Sequence, residues 1–312
     1  MSTILSTREA YGAALEKLGD TYDFVVLDAD LSKATQTVRF SQKYPSRFFN
    51  MGISEGDMMS TAAGMATCGK TVFASTFAIF AAGRAYEQIR NSIAYPGLNV
   101  KIGATHGGVL IGEDGASHQC IEDISLMRTL PGMTIVVPCD EISTFQAVEQ
   151  AIQMNGPVYL RFGRFASEPV YQQPGDFKIG KGNVLRDGTD TAIFAIGDLV
   201  CEALKAADML AAEGVSAAVI DMHTIKPLDS ELVRFYAEKT KLLITAEDHS
   251  IIGGLGGAVA EVLAGGGSGA RLKMVGIQDT FGCSGSKAQL AQKFGLTAQA
   301  ICGAYKSIAE NQ

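Results

Sequence analysis

Phe24-Val25-Val26-Leu27-Asp28 is the stretch on which the fold turns. A strand with one wet face alternates apolar and polar residues, whereas an unbroken apolar run ending in acidic loop residues suits a parallel strand covered on both faces. An amphipathic helix precedes it at 7–18, with Thr7 as the expected N-cap and Gly19 near its end. The alternation continues downstream with helices near 56–67, 80–93 and 140–153, and strands at 71–75, 99–104, 134–137 and 157–161. Strands alternating with helices imply right-handed crossovers and a doubly wound α/β unit with a mainly parallel sheet.

The pattern breaks between Ala166 and Gly188 into a polar stretch with Pro169, Pro174, Gly175, Gly180 and Gly182. A second α/β unit follows, with strands at 191–196, 216–220, 242–246 and 271–277 and helices at 198–213, 228–239 and 256–264. The chain is therefore read as a unit at 1–170, a linker at 171–188 with the boundary near residue 185, and a unit at 189–312.

A net charge of −7 with interspersed signs gives no basic face for nucleic acid, so local arginines matter more than the overall balance. No apolar run approaches eighteen residues and Met1 to Thr7 lacks a basic-then-apolar leader, so a cytoplasmic protein without membrane contact is expected. The six cysteines are widely spaced, which predicts free thiols in a reducing compartment.

Gly64-Met65-Ala66-Thr67-Cys68-Gly69-Lys70-Thr71 fits the phosphate-loop pattern letter for letter. A true phosphate loop leaves a strand and opens a helix, and here the predicted order is the reverse. Gly69 is read instead as a helix-ending glycine. Gly253-Gly254-Leu255-Gly256-Gly257 lacks the third glycine of a dinucleotide fingerprint, since Val259 falls there. It reads as close strand-to-helix packing, with an anion-binding turn as the alternative.

Chemistry gathers elsewhere. Glu55 follows Gly52-Ile53-Ser54 at a predicted helix start, where a carboxylate is ordinarily just a favourable helix charge. The segment from His106 to His118 holds two of the chain's four histidines together with Glu113 and Asp114, and it begins at the C-terminal end of a predicted strand, where open parallel sheets bind ligands. The spacing of His106, Asp114 and His118 matches no standard metal arrangement, so polar substrate recognition is the better reading and no metal ligand is assigned. Phe77 and Phe80 would by default be core, and Arg8, Arg161 and Arg164 would by default pair with surface acids.

Taken together, these stretches resemble the transketolase family over nearly the whole length, specifically its C-terminal two-thirds. The matching landmarks, in order, are Thr7-Arg8-Glu9-Ala10-Tyr11-Gly12, Asp28-Ala29-Asp30, Gly52-Ile53-Ser54-Glu55, Ser75-Thr76-Phe77-Ala78-Ile79-Phe80, Thr105-His106-Gly107-Gly108, Gly112 to Gln119, Thr224-Ile225-Lys226-Pro227-Leu228-Asp229 and Glu247-Asp248-His249. The family's signature for magnesium and diphosphate is not seen, so the chain resembles the small subunit of a split transketolase.

The resemblance implies a pyrimidine-binding domain followed by a transketolase C-terminal domain. It implies thiamine diphosphate and magnesium, both held mainly by a larger N-terminal-section subunit in a heterotetramer, with sugar phosphates as substrates. Glu55 would hydrogen-bond the cofactor's aminopyrimidine and favour its imino tautomer, and Phe77 and Phe80 would pack on that ring. His118 would act near the reacting carbon, Asp114 would recognise a donor hydroxyl, and Arg8, His106 and Arg164 would hold the sugar phosphate, with Arg161 as the alternative to Arg164. The implied reaction is reversible transfer of a two-carbon ketol unit between a ketose phosphate and an aldose phosphate. Ala34 departs from a family serine that touches phosphate, so that contact is lost or moves to Thr35, and Gly56-Asp57 departs from the common glutamine-asparagine. Rival readings are the small subunit of a 2-oxoacid dehydrogenase first component, a 1-deoxyxylulose 5-phosphate synthase fragment, and a non-catalytic stabilising subunit.

Overall fold

The computed structural model describes residues 4–166, 168–175 and 177–309. Six strands lie parallel in the first unit: β1 (Phe24–Asp28), β2 (Phe48–Asn50), β3 (Thr71–Phe77), β4 (Val100–Thr105), β5 (Thr134–Val136) and β6 (Val158–Arg161). The second unit contributes β7 (Asn183–Arg186), β8 (Thr191–Ala195), β9 (Ala217–Asp221), β10 (Thr224–Lys226), β11 (Leu242–Ser250) and β12 (Arg271–Ile277). Its sheet runs β12-β11-β8-β9-β7 and is parallel except for β7 at one edge. Every residue of β1, β4, β8 and β9 is buried, as strands covered on both faces must be. The two doubly wound α/β units predicted from the alternation are therefore present.

β10 leaves its own unit and pairs antiparallel with β5, so the first sheet has seven strands in the order β10-β5-β6-β4-β3-β1-β2. This strand covers an edge that would otherwise offer unpaired backbone groups. The Lys226 ammonium reinforces the junction by donating to the carbonyls of Arg128 and Leu130.

Local departures from the sequence reading have identifiable causes. The first helix spans Thr7–Leu18, but its N-cap is Ser6, which exchanges hydrogen bonds with Glu9 in a capping box. Thr7 instead accepts from the Gly163 amide at 2.8 Å. The predicted helix at 80–93 is two wide i→i+5 segments, Phe80–Arg84 and Ile89–Ala94, flanking Tyr86–Gln88. Such turns re-aim side chains and cluster at functional places. Residues 183–186 of the stretch read as linker form β7.

Both glycine-rich decoys have structural explanations. Residues 64–71 run from the helix Glu55–Thr67 into β3, with Gly69 at φ +83° and Lys70 paired to Asp23 at 3.3 Å. The turn at 253–257 opens the helix Leu255–Gly265, and the amides of Leu255 and Gly256 donate to the chain's own Glu247 at 2.7 and 2.8 Å. A Cβ at Gly254 would stand 2.1 Å from that carboxylate, so the close packing and the anion site are the same feature. All six cysteines are free thiols. Among the described residues no helix is long and apolar enough to cross a membrane.

Candidate functional site

The C-terminal ends of β3 and β4 define one rim of the first sheet. Their register pairs Phe77 with Thr105, so the residues that follow each strand emerge side by side. His106 turns the chain with φ +60°, a conformation costly for a non-glycine residue. Its ring stacks on Phe77 at 3.8 Å between centroids, and Phe77 stacks on Phe80 at 5.5 Å. His118 meets both phenylalanines edge-on, at 6.3 Å from Phe77 and 5.5 Å from Phe80.

Glu55 is the first residue of the helix Glu55–Thr67 and is only 5% exposed. The Arg84 guanidinium lies 3.4 Å from its carboxylate and 4.0 Å from the Phe80 ring centroid. Glu55, Arg84, Phe80, Phe77, His106 and His118 thus form a continuous chain of contacts. Arg84 was not anticipated from the sequence, although it follows Phe80 by four residues, the spacing at which helical neighbours meet.

A cationic group flanks this apolar row. Arg8 donates to the carbonyls of Arg164 and Ala34, each at 2.9 Å. Arg164 donates to the Ile111 carbonyl at 2.6 Å and pairs with Asp114 at 3.0 Å. Burial first, and then the nearby charges of Arg8, Arg164 and His118, push the His106 pKa down to about 3. His106 is therefore neutral near pH 7 and offers a ring N–H rather than a positive charge. Its Nδ1 is in hydrogen-bond contact with the Thr105 hydroxyl at 2.9 Å. Burial also lowers the Arg8 pKa, with Arg164 acting in the same direction and Glu9 and Asp114 opposing it.

Two of the sequence alternatives lie in the interior. Arg161 is buried, donates to Asp123 at 2.8 Å and to the carbonyls of Cys120 and Asp248, and is committed to the interior. Thr35 is fully buried and its hydroxyl donates to Asp28 at 2.7 Å.

A nearly buried carboxylate with one side-chain partner among the described residues, Arg84 at 3.4 Å, beside stacked aromatic rings, suits an aromatic ring bearing N–H donors. Among the described residues no three His, Cys, Asp or Glu side chains come together to hold a metal ion, and no metal ligand is assigned.

Residues 4–168 match the family model described as transketolase, pyrimidine binding domain, and residues 180–301 match transketolase, C-terminal domain. A Methanocaldococcus jannaschii protein described as a transketolase C-terminal section is 49% identical, over 94% of this chain and 93% of its own. A 6-deoxy-6-sulfo-D-fructose transketolase subunit of a Clostridium species is 42% identical, over 92% of this chain and 89% of its own. A solved structure described as a split gene transketolase, inactive β4 tetramer, superposes with a TM-score of 0.89 at 49% identity and covers 98% of both chains.

Proposed function

The chain belongs to the transketolase family, and from that premise we propose that it is the small subunit of a split, thiamine diphosphate-dependent transketolase. Residues 1–170 carry the aminopyrimidine side of the site, the unit that begins with β7 at Asn183 forms the support, and the segment between them joins the two. A larger subunit supplies the diphosphate and magnesium site, in an assembly with two copies of each chain closed by twofold symmetry. The reaction is transfer of a two-carbon ketol unit between a ketose phosphate and an aldose phosphate. The observation that carries this reading is the convergence of Glu55, Phe77, Phe80, His106 and His118 with Arg8, Asp114 and Arg164 at one end of a parallel sheet. Likeness to a split-gene protein whose β4 tetramer is described as inactive supports dependence on a partner.

Thiamine diphosphate, when bound, supplies the carbon nucleophile that these side chains lack. Glu55 would accept a hydrogen bond from the ring, and that bond is strengthened where Phe77 and Phe80 exclude water. His118, edge-on to both rings, would exchange a proton with a substrate oxygen. Asp114 accepts from a donor hydroxyl, a contact that rejects sugars lacking that group. Arg8 and Arg164 hold the phosphate through charge-assisted bonds, and neutral His106 adds a directional N–H.

The test is ketol transfer from xylulose 5-phosphate to ribose 5-phosphate with thiamine diphosphate and magnesium, using this chain with and without the large subunit. Activity confined to the mixture is expected. Activity from this chain alone overturns partner dependence, and silence from an assembled mixture overturns this choice of substrates.

A further inference from the structure

Residues 112–119 belong to the first unit, yet the second unit grips this loop beside both of its reactive groups. Ser284 donates to the carbonyl of Glu113, next to Asp114, at 2.8 Å. Gln119, next to His118, is 4% exposed, and its side-chain amide donates to the carbonyls of Val109 at 3.0 Å and Cys283 at 2.9 Å. Two facing carbonyls fix which end of the amide points where, because an oxygen in that place would meet two acceptors. The amide's own oxygen is buried and has no hydrogen-bond partner among the described residues.

Gly282 closes over that oxygen. A Cβ at residue 282 would sit 1.7 Å from Gln119 Oε1, so any larger residue must displace the glutamine. The gripping segment is itself anchored: Lys293 donates to Cys283 Sγ at 3.2 Å, and Ser286 shares a capping box with Gln289 at the start of the helix Lys287–Lys293. At the loop's base, the Asp248 carboxylate accepts from the amides of Val109 and Leu110 at 2.8 and 3.0 Å.

We propose that the Gly282–Ser284 segment of the second unit, acting through Gln119 and the Glu113 carbonyl, is a positioning element that sets Asp114 and His118 for recognition of the donor hydroxyl. This rests on the functional reading above. Neither Gln119 nor Ser284 touches substrate; each acts on the residue beside the one that would. The second unit thereby acquires a role in substrate selectivity besides support.

The experiment compares Ser284→Ala, Gly282→Ala, Gln119→Ala and the double variant Gly282→Ala/Gln119→Ala, in the complete two-subunit complex and in this chain alone. In the complex, the kcat/KM ratio between a ketose phosphate donor and its analogue lacking the recognised hydroxyl should fall about fivefold in Ser284→Ala, the scale of one hydrogen bond, and further in Gly282→Ala. Half-saturation by thiamine diphosphate should stay within about twofold, because the segment's hydrogen bonds go to Glu113 and Gln119 rather than to Glu55, Phe77 or Phe80. In the chain alone, amide exchange at 113–119 should quicken while β3 and β4 keep their protection. Gly282→Ala should add little to Gln119→Ala, since the severe overlap is with that side chain and the next neighbour, Val109 Cγ1 at 3.3 Å, need give only slightly. Unchanged selectivity in both Ser284→Ala and Gly282→Ala, or full additivity in the double variant, overturns the inference. A wild-type complex that performs no ketol transfer overturns the functional reading instead, and exchange at 113–119 then decides the clamp.

Discussion

Glu55 and the two arginines three residues apart show what single side chains decide. Glu55→Gln keeps shape but removes the charge that would hold the cofactor ring, so turnover should fall roughly 10²- to 10⁴-fold, the range for a proton-transfer group. Its partner Arg84 is more than half exposed, so assembly and melting temperature should barely change. Steady-state rates alongside sedimentation of the complex check both halves of that statement. Arg164→Ala should raise KM for the phosphorylated sugar about tenfold or more with little loss of stability, since Arg164 is only partly buried and a charge-assisted contact is worth about 1.5–3 kcal/mol. Arg161→Ala should do the opposite. Burial would raise the Asp123 pKa, but Arg161 and then His249 hold it below its usual value, and removing Arg161 strands a buried charge at a cost of about 3–5 kcal/mol. Denaturant titration beside KM measurements separates the two arginines. The sequence left this choice open because both sit at the end of one strand, and the depth at which an arginine comes to rest depends on partners such as Asp123 and Asp248, which are remote along the chain.

At the scale of elements, the segment leading out of β6 is held by a polar knot. Asp140, N-cap of the helix Glu141–Gln153, accepts from the amides of Val170 and Tyr171 at 3.0 and 2.8 Å. The Tyr171 hydroxyl in turn donates to Asp221 at the end of β9 at 2.7 Å, and Asn183 of β7 donates to that hydroxyl at 3.0 Å. Burial pushes the Asp221 pKa up to about 7; Tyr171 and Cys139 oppose the shift and Asp140 adds to it. Because this folded value lies above the unfolded one, the folded state holds more protons between about pH 4 and 7, and stability is lost as pH rises through that window. Asp221→Asn removes the penalty, so the variant should gain on the parent as pH rises, by at most roughly 1.4 kcal/mol per unit, with no further gain above about pH 7. Urea titrations at pH 5, 6, 7 and 8 measure this, and a gap that shrinks with rising pH refutes it. The long central strands were legible because burial on both faces leaves an unbroken apolar run, as in Phe24–Asp28. β2, β7 and β10 were not, being three or four residues long at sheet edges, where pairing is decided by a distant partner. The wide turns at Phe80–Arg84 escaped for another reason. Apolar spacing reports which face is buried and not whether the backbone closes i→i+4 or i→i+5, and that difference governs where Phe80 and Arg84 point.

Over the whole molecule, the two sheets are joined too closely for either unit to be a free module. One continuous apolar cluster holds Ile124, Met127, Ile135 and Val137 from the first unit together with Met222, Ile225, Tyr236 and Leu255 from the second. Across the same junction Arg161 donates to the Asp248 carbonyl, Ser250 to Ile121 and Val137 to His223, while β10 completes the first sheet beside β5. A fragment ending at residue 170 would lose β10 and uncover both the edge of β5 and this apolar surface. An exposed edge next to apolar residues is a template for self-association. It would also lose the Asp248 carboxylate that holds the amides of Val109 and Leu110, at the base of the loop carrying Asp114 and His118. Such a fragment should therefore bind hydrophobic dyes and self-associate, and amides 107–119 should lose protection even where β3 and β4 retain theirs. Co-expression with residues 171–312 as a separate chain should restore a stable, non-aggregating complex, because the contacts across the junction need no covalent link. Dye binding, light scattering and amide exchange on the fragment and on the reassembled pair decide the matter. A monomeric fragment with native protection at 107–119 would show that the first unit shapes this rim without help from the second.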